Sequence, residues 1–179
     1  MPRSSIPPRL RVFLGCEGES ERSYGALLNR LLPKVYIETA VLRGGDPLSL
    51  VKRAITRIDE RERKRSPFAV RAVLLDSDQL GQVPDRDAQI SAAARRAGLQ
   101  LIWQRPCHEA LLLRHFQGCG QRRPQTPALA IEELIRHWPQ YMKGTSAVEL
   151  SRQIGEQELR QVLPVEPELG TFLRALGLC

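Results

Sequence analysis

The sequence predicts an α/β fold in which a small, four-stranded, mostly parallel sheet is flanked by helices and followed by a helical C-terminal extension. Short apolar runs rich in strand-forming residues alternate with segments of helical periodicity. Helices between successive strands indicate crossover connections and therefore parallel pairing. At 179 residues the chain suffices for one domain of ordinary size. We place that α/β domain at residues 8–125, with the helices of residues 126–179 packed on it.

The first predicted unit is a strand, a helix and a second strand. Residues 10–15 (LRVFLG) form a compact apolar run that is typical of a buried strand. Beyond the turn CEGE, apolar side chains recur at helical spacing at Tyr24, Leu27, Leu28, Leu31 and Leu32. Residues 35–42 are rich in β-branched side chains and predict the second strand.

A second helix and a third strand follow the break at Gly44 and Gly45. Asp46 offers its side chain as an N-cap, with Pro47 at the first helical position. The apolar stripe of this helix consists of Leu50, Val51, Ala54, Ile55 and Ile58. After Ser66-Pro67, residues 68–75 predict a third strand that runs into Asp76.

The remaining patterns predict one more strand and then helices only. Residues 85–97 are alanine-rich and end at Gly98, a usual helix stop. Residues 99–103 predict the fourth strand, and the apolar residues 107–116 predict a buried helix. Three further helices are expected: one from Thr126-Pro127 to about His137, a long one opened by the Ser146/Glu149 capping-box spacing and reaching about Val162, and one at about 168–176.

The composition favours a basic protein that meets polyanions. The formal net charge is +7 and comes almost entirely from arginine, so nucleic acid is the first expected partner; genomic compositional bias is the alternative. Aromatic residues make up 5% of the chain, too few for a stacking platform for single strands. The phosphate-contact candidates without nearby acids are Arg95, Arg96, Arg122 and Arg123.

The densest charge run, RIDERERKR at residues 57–65, mixes both signs. Asp59/Arg63 and Glu60/Lys64 stand at the i,i+4 spacing of helical ion pairs. We therefore interpret this run as a solvated helix end rather than as a nucleic-acid patch.

The cysteines and the N-terminus predict a cytoplasmic protein with reduced thiols. The four cysteines show no CxxC spacing, and residues 1–8 contain no apolar signal-peptide core. No apolar stretch approaches the roughly 18 residues that span a bilayer, so no membrane association is expected.

Carboxylates follow two of the predicted strands. Glu17 leaves the first strand, and Asp76 and Asp78 leave the third, where two-residue spacing on an extended segment projects both side chains to one side. The carboxyl ends of parallel strands share one edge, so these acids are expected to converge and to require a cation. Oxygen ligands favour Mg²⁺ or Mn²⁺. Helix capping is the alternative interpretation of each acid taken alone.

Six further charged residues have a structural or a functional interpretation. Glu19 and Glu21 are assigned to the turn and helix start, and Asp85 and Asp87, beside Pro84, to helix capping. Glu109 lies in an otherwise apolar helix, where an ionised carboxylate is costly unless it is paired or metal-bound. Lys143 could neutralise a phosphoryl oxygen, or it could be a plain exposed lysine.

A zinc site formed by Cys107, His108, His115 and Cys119 is disfavoured because the spacing matches no standard finger. The roles of Cys107, His108 and His115 stay open.

Taken in order, these motifs resemble a known family. The Glu-Gly after one strand and the Asp-x-Asp after another resemble the TOPRIM domain, a Rossmann-like fold shared by topoisomerases, primases and several nucleases. CEGESERSYGALLNRL (residues 16–31) is similar to the opening of the RloB-like branch of that group. RPCHEALLLRHF (residues 105–116) resembles its Pro-Cys-x-Glu-x-x-Leu-Leu-x-His-Phe element, and WPQYMKG (residues 138–144) resembles its Tyr-x-Lys.

The resemblance implies roles for five residues. Glu17 would be the catalytic or metal-binding glutamate, with Asp76 and Asp78 as the metal-binding pair. Glu109 and Lys143 would be supporting polar residues of the site.

Three departures from the family pattern concern the substrate contacts. His108 and Ala110 stand where the family usually has aromatic residues, and Glu19-Ser20 stands where it has Lys-Thr.

The function expected from these motifs is that of an Mg²⁺- or Mn²⁺-dependent endonuclease acting on DNA or RNA. The resemblance adds a setting in prokaryotic defence against phage, with an ATPase as a possible partner protein. Two alternatives stand beside it: a non-catalytic TOPRIM-like module that binds nucleic acid or an ATPase, and a HAD-like phosphatase, in which Gln79 would replace the usual Thr or Val. The choice between DNA and RNA and the oligomeric state stay open.

Overall fold

Four strands and eight helices make up the ordered elements of the computed structural model, which describes residues 9–179. In chain order they are β1 Leu10–Cys16, α1 Glu19–Leu31, β2 Val35–Val41, α2 Pro47–Glu62, β3 Val70–Asp76, α3 Pro84–Arg96, β4 Gln100–Gln104, α4 His108–Leu113, α5 Pro127–His137, α6 Ala147–Gln153, α7 Glu156–Val162 and α8 Pro167–Ala175. The predictions made for residues 1–8, including the start of the α/β domain at residue 8, lie outside the described residues.

The sheet is parallel throughout, which confirms the predicted α/β fold class. The strands lie in the order β2-β1-β3-β4, with Cys16 opposite Val41 at the end of the β1/β2 ladder and Asp76 opposite Gln104 at the end of the β3/β4 ladder. The chain leaves β1 for β2 on one side and then places β3 on the other side of β1. This reversal opens a crevice at the carboxyl ends of β1 and β3, the usual ligand position in open α/β sheets.

Both faces of the sheet are covered. One apolar core joins side chains of the strands with α1 and the C-terminal helices, and it includes Leu14, Leu27 and Phe172. A second core on the opposite face joins the strands with α2 and α3 and includes Phe13, Val51 and Ile90. The helices after residue 126 therefore share a core with the sheet.

A buried ion pair ties the C-terminal extension to the α/β part of the chain. The guanidinium of Arg114, directly after α4, contacts the carboxylate of Glu166, and both side chains are buried. Arg114 also donates hydrogen bonds to the carbonyl oxygens of Arg105 and Arg122, at 3.1 and 3.4 Å. Truncating either partner would leave the other charge buried without compensation.

At two of the predicted helix starts, a side chain caps the helix. Asp46 accepts hydrogen bonds from the backbone of Leu48 and Ser49 at 3.0 and 3.3 Å, and Thr126 accepts one from the backbone of Leu129 at 3.3 Å. These side-chain acceptors satisfy N–H groups that have no partner within the helix.

The prediction of one long helix from Ser146 to about Val162 is wrong, because the structure has two shorter helices there. Ser146 and Glu149 form the expected capping box, but the helix stops at Gln153 and a new one begins at Glu156. Ile154 is extended and buried, and Gly155 caps the second helix. Glycine is a poor helix former, and the bend lets the side chain of Ile154 join the apolar core.

The predicted helix over residues 107–116 is shorter than expected. The helix itself covers only His108–Leu113, with Cys107 as its N-cap. Its six side chains are all buried, as predicted.

The structure also bears on membrane-spanning helices and on disulfide bonds. No helix within residues 9–179 is both long and apolar enough to cross a membrane. Cys16, Cys107, Cys119 and Cys179 are free thiols.

Gly25 sets the distance between α1 and the sheet. A Cβ atom at this position would lie 2.6 Å from Cγ2 of Thr39 in β2 and 3.1 Å from Cδ2 of Leu14 in β1. Real Cβ atoms are not found as close to another atom as the first distance. The absence of a side chain at Gly25 therefore lets the first helix pack directly on β1 and β2.

We expect Gly25→Ala to lower the free energy of unfolding by about 1–3 kcal/mol, the usual cost of overpacking a core. Urea denaturation followed by circular dichroism measures this change. The double variant Gly25→Ala/Thr39→Ser is the matched control, because it removes the Cγ2 atom in conflict and keeps the gain in helix propensity of about 1 kcal/mol. Equal destabilisation of the single and double variants would contradict this account of the packing.

Candidate functional site

The structure brings Glu17 and Asp76 together at the crevice. Glu17 directly follows β1, and Asp76 is the last residue of β3. Oε2 of Glu17 accepts a hydrogen bond of 3.2 Å from the backbone N–H of Asp76. The ends of the two central strands are thus joined through a carboxylate, at the position where the strand order reverses.

Asp76 is held in an unfavourable environment for a negative charge. Its Oδ1 atom is buried and has no hydrogen-bond partner within residues 9–179. Burial is the largest cause that raises the pKa of Asp76 to about 8, and the negative charges of Glu21, Glu17, Glu109 and Asp78, in that order, contribute to the same shift. Burial is also the main reason why the pKa of Glu17 is raised.

Asp78 is placed differently from the prediction. Strand β3 ends at Asp76, and the backbone N–H of Ser77 turns to the carbonyl oxygens of Gln104 and Pro106, at 3.0 and 3.2 Å. Asp78 lies in the turn that follows and is exposed. The extended segment assumed for the Asp-x-Asp pair does not reach it, so Asp78 adds negative charge near the site without lining the pocket.

Glu21 is a site residue that the sequence interpretation missed. It lies in the first turn of α1 and is 5% exposed. Its Oε2 accepts a hydrogen bond of 3.0 Å from the backbone of Gly18, so it serves the helix start as expected. It also contributes the largest effect of a charged group on the pKa of Asp76. The Gly-x-x-Glu spacing of a capping box was the only signal, and it does not reveal burial.

Glu19 matches its assignment to the helix start. Its carboxylate is exposed and pairs with Arg22 at 2.7 Å and with Arg43 at 3.7 Å. It therefore stands at the edge of the pocket with two arginines beside its charge.

Glu109 and Lys143 meet at the same pocket. Oε1 of Glu109, a buried residue of α4, accepts a hydrogen bond of 3.2 Å from the hydroxyl of Tyr141 and lies 3.8 Å from Nζ of Lys143. The lysine loop is attached to α1, because the backbone N–H of Gly144 donates to Oγ of Ser20 at 3.0 Å. The C-terminal extension thus brings a cation to the acidic edge of the sheet.

His108 also lines the pocket. It is 3% exposed, its Nδ1 lies 2.6 Å from Nε2 of Gln104, and its Nε2 is buried without a hydrogen-bond partner in the described chain. Burial lowers the pKa of His108, so the imidazole is neutral at pH 7. It therefore adds no positive charge that would balance the carboxylates.

The pocket itself is small and polar, with a volume of about 200 Å³. Its lining residues are Glu17, Gly18, Glu19, Ser20, Glu21, Asp76, His108, Glu109 and Lys143. A water molecule takes up about 30 Å³ in the liquid, so the space is sufficient for a cation with several water molecules.

The charges of the pocket suit a metal ion, but its side chains are not arranged as a ready set of ligands. Within the described residues, no group of three or more His, Cys, Asp or Glu side chains is arranged to hold a metal ion. The disfavoured zinc set does not converge either: His115 is hydrogen-bonded to Tyr24 at 3.0 Å, and Cys119 lies 3.2 Å from His137. The oxygen-rich donors around Asp76 nevertheless suit a hard divalent cation.

The comparisons with known proteins support a family assignment. The family model described as RloB-like protein matches residues 12–160, most of the chain. The matched segment includes Glu17, Asp76, Glu109 and Lys143. No curated protein and no solved structure matches the chain.

The raised pKa of Asp76 predicts a pH-dependent gain of stability in Asp76→Asn. The unfolded chain ionises this aspartate near pH 4, whereas the folded chain does so near pH 8, so the wild type loses stability as the pH rises between these values. In EDTA, the Tm of Asp76→Asn should exceed that of the wild type by about 5 °C at pH 8.5, and the difference should shrink toward pH 4.5.

Thermal melts across this pH range, followed by circular dichroism, measure the difference. Asp85→Asn is the matched control, because Asp85 is exposed and outside the pocket. A difference in Tm that did not change with pH would contradict the assigned environment of Asp76.

Proposed function

The chain belongs to the RloB-like protein family, and from this premise we propose that it is a divalent-metal-dependent nuclease that cleaves phosphodiester bonds of DNA or RNA. The observation that carries the proposal is the half-buried carboxylate of Asp76, whose buried Oδ1 atom has no hydrogen-bond partner within residues 9–179 and which is surrounded by further carboxylates at the crevice. Such a cluster is stabilised by a divalent cation, and Mg²⁺ or Mn²⁺ is the usual choice for oxygen ligands.

In this proposal Asp76 and Glu17 hold the ion, with Asp78 adding to the attraction. When bound, Mg²⁺ or Mn²⁺ polarises the scissile phosphate and offsets developing negative charge. Alternatively, Glu17 acts as general base instead of metal ligand, a role that fits the direction in which burial raises its pKa.

Lys143 and Glu109 are assigned supporting roles. The ammonium of Lys143 is well placed at the pocket mouth to neutralise a phosphoryl oxygen in the transition state. Glu109 holds that loop through Lys143 and Tyr141. Because Lys143 is largely exposed, its ion pair with Glu109 is expected to orient the lysine side chain more than to stabilise the fold.

The biological setting is proposed from the family resemblance. The nuclease would act in prokaryotic defence against phage, and an ATPase would be its partner protein. The positive net charge of the chain supports contact with a nucleic acid backbone.

A second candidate is a non-catalytic module that binds nucleic acid or a partner ATPase. One observation favours it: the side chains described here form no ready metal-binding group of three. A HAD-like phosphatase, with Asp76 as nucleophile, is covered by the same experiment.

The central test is metal-dependent cleavage. Purified protein is incubated with DNA, RNA and a phosphomonoester in Mg²⁺, Mn²⁺ or EDTA, beside Asp76→Asn and the matched control Asp85→Asn. We expect the wild type and Asp85→Asn to cut a polymer only with metal, and Asp76→Asn to lose at least about 100-fold in rate because its cation is lost. Mg²⁺ should also raise the Tm of the wild type but not that of Asp76→Asn.

The outcomes separate the candidate functions. Phosphate release from the monoester alone would indicate a phosphatase. Binding of a polymer without cleavage, and with no effect of metal on Tm, would favour the non-catalytic module and reject the nuclease.

Lys143→Met should lower the cleavage rate by roughly 10- to 100-fold, because the transition state loses a compensating charge. Lys143→Arg should retain most of the activity. The loss should appear in kcat more than in KM, as expected for a contact made mainly in the transition state. Lys52→Met, which removes an exposed lysine of α2 outside the pocket, is the control. An equal loss in Lys52→Met would show that only the net charge matters.

A further inference from the structure

A long basic groove runs along the free edge of the sheet. Two open cavities of about 580 and 500 Å³ lie beside β2 and share Thr39, Arg61 and Lys64 as lining residues. The first follows residues 36–39 of β2, and the second follows residues 39–41 toward the carboxyl end of the strand. Together they form one surface, which we call the β2 groove.

The free backbone of β2 is already occupied by side chains. Asn29 bonds to both the N–H and the carbonyl oxygen of Ile37, at 2.7 and 2.8 Å. Arg61 donates to the carbonyl oxygen of Thr39 at 3.1 Å. An edge strand covered in this way offers little to an added strand from another protein. The groove therefore presents cations rather than backbone hydrogen-bonding groups.

Cations outnumber carboxylates in the groove. Arg11, Arg61, Lys64 and Arg65 line the first cavity around a single acid, Glu38. The second cavity adds Arg22, Arg43 and Arg57, with the acids Glu19 and Glu60. Seven basic groups thus face three carboxylates along one edge.

The charge run of residues 57–65, interpreted from the sequence as a solvated helix end, contributes to this excess. The predicted pairs Asp59/Arg63 and Glu60/Lys64 are not formed within 4.0 Å in the described chain. Instead Glu60 pairs with Arg57 at 3.1 Å, and Glu62, also in this run, pairs with Arg71 at 2.9 Å.

Among the cations of this run that line the groove, Lys64 and Arg65 are consequently the least compensated. Lys64 takes part in no ion pair within the described residues. Arg65 reaches Glu38 only at 3.9 Å, and that carboxylate is already bonded to Arg11 at 2.7 Å. Both side chains are exposed and free to meet a ligand.

The groove adjoins the carboxylate pocket. Glu19 lines both the second cavity and the pocket that contains Asp76. Its charge is offset by Arg22 and Arg43. A polyanion lying in the groove therefore meets no uncompensated negative charge before it reaches the catalytic pocket.

We propose that the β2 groove binds the sugar–phosphate backbone of the nucleic acid and leads it into the carboxylate pocket; the proposal rests on the proposed nuclease function. Residues 36–41 span about 17 Å at the rise of a strand, on the order of five nucleotide steps of one duplex strand. Phosphate contacts of this kind position the substrate and do not read its sequence.

The test compares two pairs of cations. Binding of fluorescently labelled DNA and RNA, single-stranded and duplex, is measured by anisotropy in EDTA over a range of KCl concentrations. We expect Lys64→Ala/Arg65→Ala to weaken binding at least about tenfold at 0.1 M salt and to reduce the slope of log K against log salt by about 1.4 to 1.8. Lys64→Arg/Arg65→Lys should bind like the wild type.

Arg95→Ala/Arg96→Ala is the matched control. It removes the same charge from exposed positions of α3, outside the groove, at residues that the sequence alone suggested as phosphate contacts. Equal weakening by both double-alanine variants, or unchanged binding in Lys64→Ala/Arg65→Ala, would overturn the proposal. Matching thermal melts ensure that the comparison concerns folded proteins.

Cleavage measured in parallel separates this proposal from the function on which it rests. If the wild type cuts in a metal-dependent way and Lys64→Ala/Arg65→Ala binds and cuts equally well, the groove assignment fails and the nuclease stands. If that variant loses binding selectively while the wild type never cuts, the groove assignment stands and the nuclease fails.

Discussion

The structure depends on one electrostatic constraint: a parallel sheet brings the carboxyl ends of its central strands to the same edge, and in this chain acids occupy those ends. Glu17 and Asp76 are joined there by a hydrogen bond, and Asp76 carries a buried oxygen without a partner in the described chain. Such an arrangement costs stability in the absence of a cation. Glu21 increases that cost, although it also caps the first helix.

The C-terminal helices are part of this site rather than an appendage. They share an apolar core with the sheet, and the loop before α6 brings Tyr141 and Lys143 to the buried carboxylate of Glu109. The buried ion pair between Arg114, directly after α4, and Glu166, directly before α8, also holds the C-terminal extension to the α/β part of the chain. The packing of these helices sets the position of Lys143. Substitutions in residues 126–179 are therefore expected to affect the proposed cleavage activity as well as the stability of the fold.

Much of the fold was predictable because its signals are local. Apolar runs mark the strands, and Asp46, Thr126 and Ser146 mark helix starts through their own side chains. The break at Gly155 was missed, because the gain from burying Ile154 depends on partners distant in sequence. Asp78 was misplaced for a related reason: the alternation rule holds only while the strand lasts, and the strand ends at Asp76.

The sequence by itself determined the alternation of strands and helices and the presence of acids directly after two of the strands, since both follow from the order of residue types along the chain. Only the tertiary structure decided which acids meet, because burial and distance arise from packing between remote segments. It placed five acids around the pocket, namely Glu17, Glu19, Glu21, Asp76 and Glu109, and left Asp78 in an exposed turn. It also turned a charge run that looked self-compensated into the wall of a basic groove, because ion pairs form with whichever partners the fold brings near.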